Sequence, residues 1–159
     1  MDVAIRPMKE SDLPFVHRGL SETNWQDIPD DQRAVLTREE ADRRVFRDFD
    51  RFMKDDKFKF KVFVATSTDG ELPVGYVSVG ELMNPAVGLK LGSVLDFWVP
   101  EEFRDRGIGN RLLDYALDYI MKQGYSHASI MTSASNNKAI HMYEKRGFKP
   151  DRVNLARRI

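Results

Sequence analysis

The amino-acid sequence predicts an α+β fold, a mixed sheet with helices on both faces. Three observations carry that prediction. Apolar residues recur with period two along some segments and with a helical period along others. The segments follow the order β α α β β β α β α β, a hairpin-rich first half followed by βαβαβ. The chain has 159 residues, 42% apolar and 11% aromatic, enough for one sizeable core and too few for two comfortable ones. Residues 1–159 are therefore read as a single domain.

Residues 3–7 read as a short first strand. Ser11 and Asp12 then offer N-caps for a helix carrying Leu13, Phe15, Val16 and Leu20, with Pro14 tolerated in its first turn. Residues 21–36 are polar, contain Pro29, and read as a loop retaining some helix. Thr37 opens a capping box with Glu40. The helix behind it sets Ala41, Val45, Phe49, Phe52 and Met53 on one face. The i,i+4 pairs Glu39–Arg43 and Glu40–Arg44 mark its solvated side.

Phe58, Phe60, Val62 and Val64 alternate with Lys57, Lys59 and Lys61, a strand pattern. Asp69-Gly70 supplies turn chemistry, and residues 74–82 complete a hairpin. A loop with Asn84-Pro85 and Gly88 leads to a strand over 91–99, ended by Pro100. Ile108, Leu112, Leu113, Ala116, Leu117 and Ile120 then recur at helical spacing, and Gly124 stands where a C-terminal cap belongs. Residues 126–131 read as a strand, 136–146 as a helix stopped by Gly147-Phe148, and 153–159 as a last strand.

Charge and composition narrow the function. The 25 Lys and Arg balance 25 Asp and Glu, whereas a nucleic-acid binder normally carries a basic excess, so no nucleic-acid partner is expected. Cysteine is absent, which removes disulfides, thiolate nucleophiles and Cys-ligated metals. His17, His127 and His141 are scattered and read as structural, so no metal site is expected. No apolar run approaches a membrane span and residues 1–10 lack the core of a signal peptide, so the expected location is the cytoplasm, without a membrane partner.

The most informative segment is 94–113, strand, loop and helix. Arg104-Asp105-Arg106-Gly107-Ile108-Gly109 stands between them, with Asn110 following. Two glycines at a helix N-terminus leave N–H groups unpaired and unshielded, so a phosphate oxygen can approach. The helix dipole and two arginines favour an anion there, and a pyrophosphate fits. The alternative is a plain tight turn. Leu112 replaces the third glycine of the dinucleotide fingerprint, and the Gly-Lys-Ser/Thr of the P-loop is absent. In the second segment, on a helix starting near Asn136, Ala139, Met142 and Tyr143 share a face. Ala139 keeps it shallow, and Tyr143 either extends its phenol into the gap or is an ordinary core-edge aromatic.

Together these segments resemble the GNAT superfamily of acyl-CoA-dependent N-acetyltransferases. Its signature Arg/Gln-x-x-Gly-x-Gly/Ala is matched by Arg104, Gly107 and Gly109, after a strand resembling Leu95-Asp96-Phe97-Trp98-Val99. Its later pattern, Asn-x-x-Ala-x-x-x-Tyr then Gly-Phe, is matched by Asn136, Ala139, Tyr143, Gly147 and Phe148. The detailed resemblance covers residues 94–150.

The resemblance implies an α/β sandwich with a central sheet of six or seven strands. A splayed pair, 91–99 and 126–131, would hold acetyl-CoA. It further implies that the backbone of Phe97, Trp98 and Val99 pairs with the pantetheine amides, an N–H near Val99 polarising the thioester carbonyl. Arg104, Asp105, Arg106, Gly107, Ile108, Gly109 and Asn110 would hold the pyrophosphate, and Asn136 would touch the cofactor. Tyr143 would protonate the departing thiolate. The amine would attack directly in a ternary complex.

A lysine-like acceptor with pKa near 10.4 is only about 0.04% neutral at pH 7, and an α-amine near 7.8 is about 14% neutral, so the former needs a base more. Glu81 and Asp96 are the two candidates. Asp96 and Phe97 point to opposite faces of a regular strand, and a bulge would shift this. The segment 22–56 holds eleven acidic and seven basic residues, a local charge suited to a cationic amine, and Trp25 is a candidate pocket residue. A non-catalytic acyl-CoA-binding module and an enzyme using a longer acyl-CoA share the signature. A homodimer stays open.

Overall fold

In the computed structural model, which describes residues 1–69 and 72–159, the chain forms a sheet ordered β1-β2-β3-β4-β5. The strands are β1 Val3–Pro7, β2 Lys61–Ser67, β3 Pro73–Asn84, β4 Leu89–Trp98 and β5 Ala128–Ile130. The first four are antiparallel neighbours, and β5 runs parallel to β4. The helices are α1 Leu13–Asp27, α2 Asp30–Arg33, α3 Arg38–Lys54, α4 Ile108–Lys122 and α5 Asn137–Glu144. The expected mixed sandwich is present, with five strands among the described residues in place of six or seven.

The strand missing from the expectation is the last. Residues 148–159 carry no regular structure, and Val153, Leu155 and Ile159 are exposed. A strand there would need a partner edge and a layer to cover its apolar residues, and β5 spans only three residues. Gly70, half of the predicted turn, lies outside the described residues, while β2 and β3 do pair as a hairpin.

The sheet separates two apolar layers. On one face Phe63, Ala65, Val77, Val79 and Val94 meet Leu112, Leu113, Ala116 and Ile120 of α4. On the other, Val62, Val64, Tyr76 and Trp98 meet Val16 and Leu20 of α1 and Phe49 of α3. Covering both faces turns the middle of β2 into a continuous apolar run. The predicted Lys/Phe alternation fails at its start. Asp56–Phe58 is a single 3₁₀ turn, held by the Asp55 carboxylate on Lys57 N–H (3.0 Å), and Lys59 has φ +45°.

Helix α1 departs most from expectation, running on to Asp27 through residues read as loop. Its start is fixed without a side-chain N-cap. The buried Asp12 carboxylate instead accepts from Arg6 twice (2.7 and 3.0 Å) and from Lys9 N–H (2.7 Å), tying α1 to β1. The Arg6 hydrogen bonds hold Asp12 below the usual carboxylate pKa. Helix α3 starts as predicted. Thr37 Oγ1 accepts from Glu40 N–H (3.2 Å), and Glu40 accepts from Thr37 N–H (2.8 Å).

Candidate active site

The site begins where β4 and β5 stop pairing. Their ladder is three residues long, from Gly92↔Ala128 to Val94↔Ile130. Beyond it β4 continues to Trp98 with no strand on that side among the described residues. The gap is a cleft of about 550 Å³, walled by residues 94–99 on one flank and by Ile130, Met131 and Thr132 on the other. The N-terminus of α4, one face of α5 and the last turn of α1 complete its walls.

At the start of α4, Gly107 is the N-cap, with φ +78° and no side chain to cap the turn. Arg111 N–H is bonded to Gly107 O (3.2 Å), so the N–H groups before it face the cleft rather than a helical carbonyl. A Cβ on Gly109 would stand 3.2 Å from the Phe97 ring, so the missing side chain keeps this approach open. Arg104 Nε donates to Val99 O (3.0 Å), and Asp105, itself at φ +61°, pairs with Lys138 of α5 (2.5 Å). Of the predicted cofactor residues, Phe97, Trp98, Val99, Arg104, Asp105, Gly107, Ile108, Gly109, Asn110, Asn136 and Tyr143 line the cleft. Arg106 does not; its guanidinium lies 5.7 Å from the Phe103 ring centroid.

Asn136 is the N-cap of α5, its side-chain oxygen accepting from Ala139 N–H (3.3 Å). Ala139, Met142 and Tyr143 all reach the cleft from one face. The Tyr143 ring is buried and packs edge-on to Phe148. Burial, with the negative charges of Asp27 and Asp96, pushes its phenol to a pKa of about 12.

Asp96 enters the site through a bulge. Ser78 pairs with Asp96 but Val79 with Val94, leaving Leu95 as the extra residue. The bulge puts Val94 on the α4 face and Asp96 on the α1 face. There the carboxylate accepts from Thr23 Oγ1 (3.0 Å) and from the buried Tyr76 hydroxyl. Burial pushes its pKa up. Glu81 is not brought to the cleft. Tyr125 Oη donates to it (2.7 Å), Lys90 and Lys59 pair with it (3.0 and 3.5 Å), and these contacts, Tyr125 first, hold its pKa low.

Asp27, Thr23 and Gln26 of α1 line the cleft and were not picked out as catalytic-site residues from sequence. Asp27 is open to the cleft, yet the walls around it push its pKa up by desolvation. Other charges of the acidic segment are engaged locally: Glu22 accepts from Trp98 Nε1 (3.2 Å) and Arg18 (3.1 Å), and Asp30 pairs with Arg33. Trp25 stands on α1 with the guanidiniums of Arg33 and Arg38 at 5.9 and 5.8 Å from its ring centroid, and it does not line the cleft. His17 stacks on Phe46, whereas His141 reaches the cleft wall.

The family model of the Acetyltransferase (GNAT) family matches residues 23–148. The chain belongs to this family. Among curated relatives, an uncharacterized N-acetyltransferase of Methanocaldococcus jannaschii is 25% identical over 122 residues, 69% of this chain. The match spans about half, 54%, of that protein's length. An acetyl transferase structure from Pyrococcus furiosus superposes with TM-score 0.82 at 20% identity, covering 99% of this chain and all of that one (100%). The aminoglycoside N-acetyltransferase AAC(6')-Iy, solved with CoA, gives TM-score 0.70 at 19% identity over 99% of this chain and 95% of its own. These structural likenesses establish the GNAT fold. Among the described residues, no helix is long and apolar enough to cross a membrane.

Proposed function

We propose that this GNAT protein is an N-acetyltransferase that moves an acetyl group from acetyl-CoA to a primary amine of a small molecule or peptide, with residues 1–159 acting as one catalytic domain. The observation that carries the proposal is the buried Tyr143 phenol on the wall of a cleft whose other elements suit a nucleotide thioester. The uncapped N–H groups at Gly107–Asn110 suit a pyrophosphate. The unpaired edge of β4 suits an extended chain with amides. The CoA bound to AAC(6')-Iy supports the same ligand here.

Backbone N–H near Val99 polarises the thioester carbonyl. The neutral amine attacks that carbon, a C–N bond forms and the C–S bond breaks. Tyr143 gives its proton to the leaving thiolate; with a pKa of about 12 it stays protonated at neutral pH. The proton lost by the amine goes to Asp96, through water or past the Thr23 hydroxyl beside it. Glu81 is already held by Tyr125 and two lysines away from the cleft, so Asp96 takes the role shared between the two carboxylates in the sequence reading.

Purified protein, acetyl-CoA and an amine panel should release free thiol together with an acetylated amine identified by mass. Binding of acetyl-CoA without product from any amine would overturn the proposal in favour of a binding module. Comparing acetyl-CoA with butyryl-CoA tests acyl length.

A further inference from the structure

A second cavity, of about 210 Å³, opens beside the cleft on the α1 and α3 side of the sheet. The two share Thr23, Asp27, Leu95 and Asp96, so they meet at the bulge of β4. The outer wall is apolar and largely aromatic. Phe49 and Phe52 of α3 and Phe60 form it, the Phe60 ring centroid lying 5.5 Å from that of Phe49 and 5.8 Å from that of Phe52, with Leu20 and Val45 alongside. Three carboxylates, Asp27, Asp48 and Asp96, also line it, and no Lys, Arg or His is among its described lining residues.

We infer that this cavity is the acceptor pocket and that it selects a primary amine carrying one bulky apolar group, aromatic above all. The inference rests on the acetyltransferase reading above. An amine at Asp96 and Asp27 lies at the junction with the cleft, where the thioester is expected. The group it carries then extends toward Phe49, Phe52 and Phe60. Size agrees: an apolar cavity of about 150 Å³ takes benzene, and this one is larger by room for a short linker. Charge agrees as well, since the lining attracts a cation and has, among the described residues, no Lys, Arg or His to pair with a carboxylate near the ring.

The same lining discriminates against other amines. A second ammonium of a polyamine carried to the Phe49, Phe52 and Phe60 wall would be stripped of water against phenyl rings. The lining carboxylate of α3, Asp48, is already beside Arg47 (3.7 Å). The linked sugar rings of an aminoglycoside are too bulky for a cavity of about 210 Å³. Two sources present the favoured chemistry, a free arylalkylamine and a peptide whose first residue is bulky and apolar.

The test compares phenethylamine and a tetrapeptide beginning with Phe against methylamine, spermidine and kanamycin, at matched free-base concentration, by thiol release. The aryl amine or the peptide should exceed methylamine by at least about tenfold in kcat/KM; which of the two is better identifies the source. Phe52→Ala should reduce that preference about tenfold while leaving acetyl-CoA affinity in place.

A binding readout uses the absence of native cysteine. Asp48→Cys puts a single thiol on the cavity wall, and phenethylamine should slow its maleimide labelling where spermidine does not. Turnover that does not favour the aryl compounds overturns the inference and leaves the acetyltransferase reading standing. Preference without shielding of Asp48→Cys overturns the pocket's location. No turnover with any amine overturns both.

Discussion

At the scale of single residues, Tyr143 carries the chemistry proposed here. Its ring is buried against Phe148, and no hydrogen bond to its hydroxyl is among those described, so Tyr143→Phe should leave folding and cofactor affinity nearly unchanged. The turnover rate should fall by about 10²–10⁴, measured by thiol release under conditions where chemistry limits. A near-wild-type kcat would reduce Tyr143 to a packing residue.

The pH profile follows from two signs. The phenol keeps its proton up to a pKa of about 12, so Tyr143 gives no loss of rate between pH 8 and 10, where more acceptor becomes neutral. Asp96 must be ionised to accept a proton, and burial raises its pKa, so rate is lost as pH falls through that raised value. Asp96→Asn should flatten the acid limb. Tyr143 was legible in the sequence because it follows Asn136 by a fixed helical spacing. Asp27 was legible only as one charge of an acidic segment, because its place in the cleft depends on α1 reaching that far.

At the scale of elements, α1 explains most of what sequence missed. Its C-terminal half is polar and weakly amphipathic, so periodicity does not reveal it; tertiary contacts hold it instead. Thr23 bonds Asp96, Glu22 bonds Trp98, and Gly19 lies flat on the sheet. A Cβ at Gly19 would come within 2.3 Å of Tyr76 and 2.6 Å of Trp98. Gly19→Ala should therefore destabilise by about 1–3 kcal/mol through overpacking, despite alanine's better helix propensity. A denaturant midpoint at or above wild type would show that α1 lifts without cost. Because the same helix presents Thr23 and Asp27, the variant should also weaken amine KM more than acetyl-CoA affinity. The bulge at Leu95 was weighed from sequence only as an alternative, since the residue types of 94–98 suit a regular strand equally well. Cross-strand register alone reveals it.

At the scale of the whole molecule, the sheet and the cleft share the strands β4 and β5. The βαβ half was legible because α4 is strongly amphipathic and its glycines mark the turn. The strand count was not, because the last residues alternate like a strand and no sheet edge receives them. Acetyl-CoA should protect the whole fold, by about 2.7 kcal/mol at roughly 100 times Kd, read as a thermal shift. Gly109→Trp should abolish the shift by filling the approach to the α4 N-terminus beside Phe97. No shift in wild type at millimolar acetyl-CoA would end the proposed cofactor role.

The three-residue ladder between β4 and β5 has a kinetic consequence. From Gly92 to Val94 the strand is paired on both sides, and from Asp96 to Trp98 only with β3, Leu95 being the bulge residue between them. The amides of one strand should therefore exchange with deuterium in two classes. Those turned to β3 open only with the sheet, whereas those turned to the cleft are guarded by nothing but its solvent. Pantetheine seated along that edge would slow the second class and leave the first untouched. Peptide-resolved exchange over 95–99, with and without CoA, would then read ligand as a temporary sixth strand.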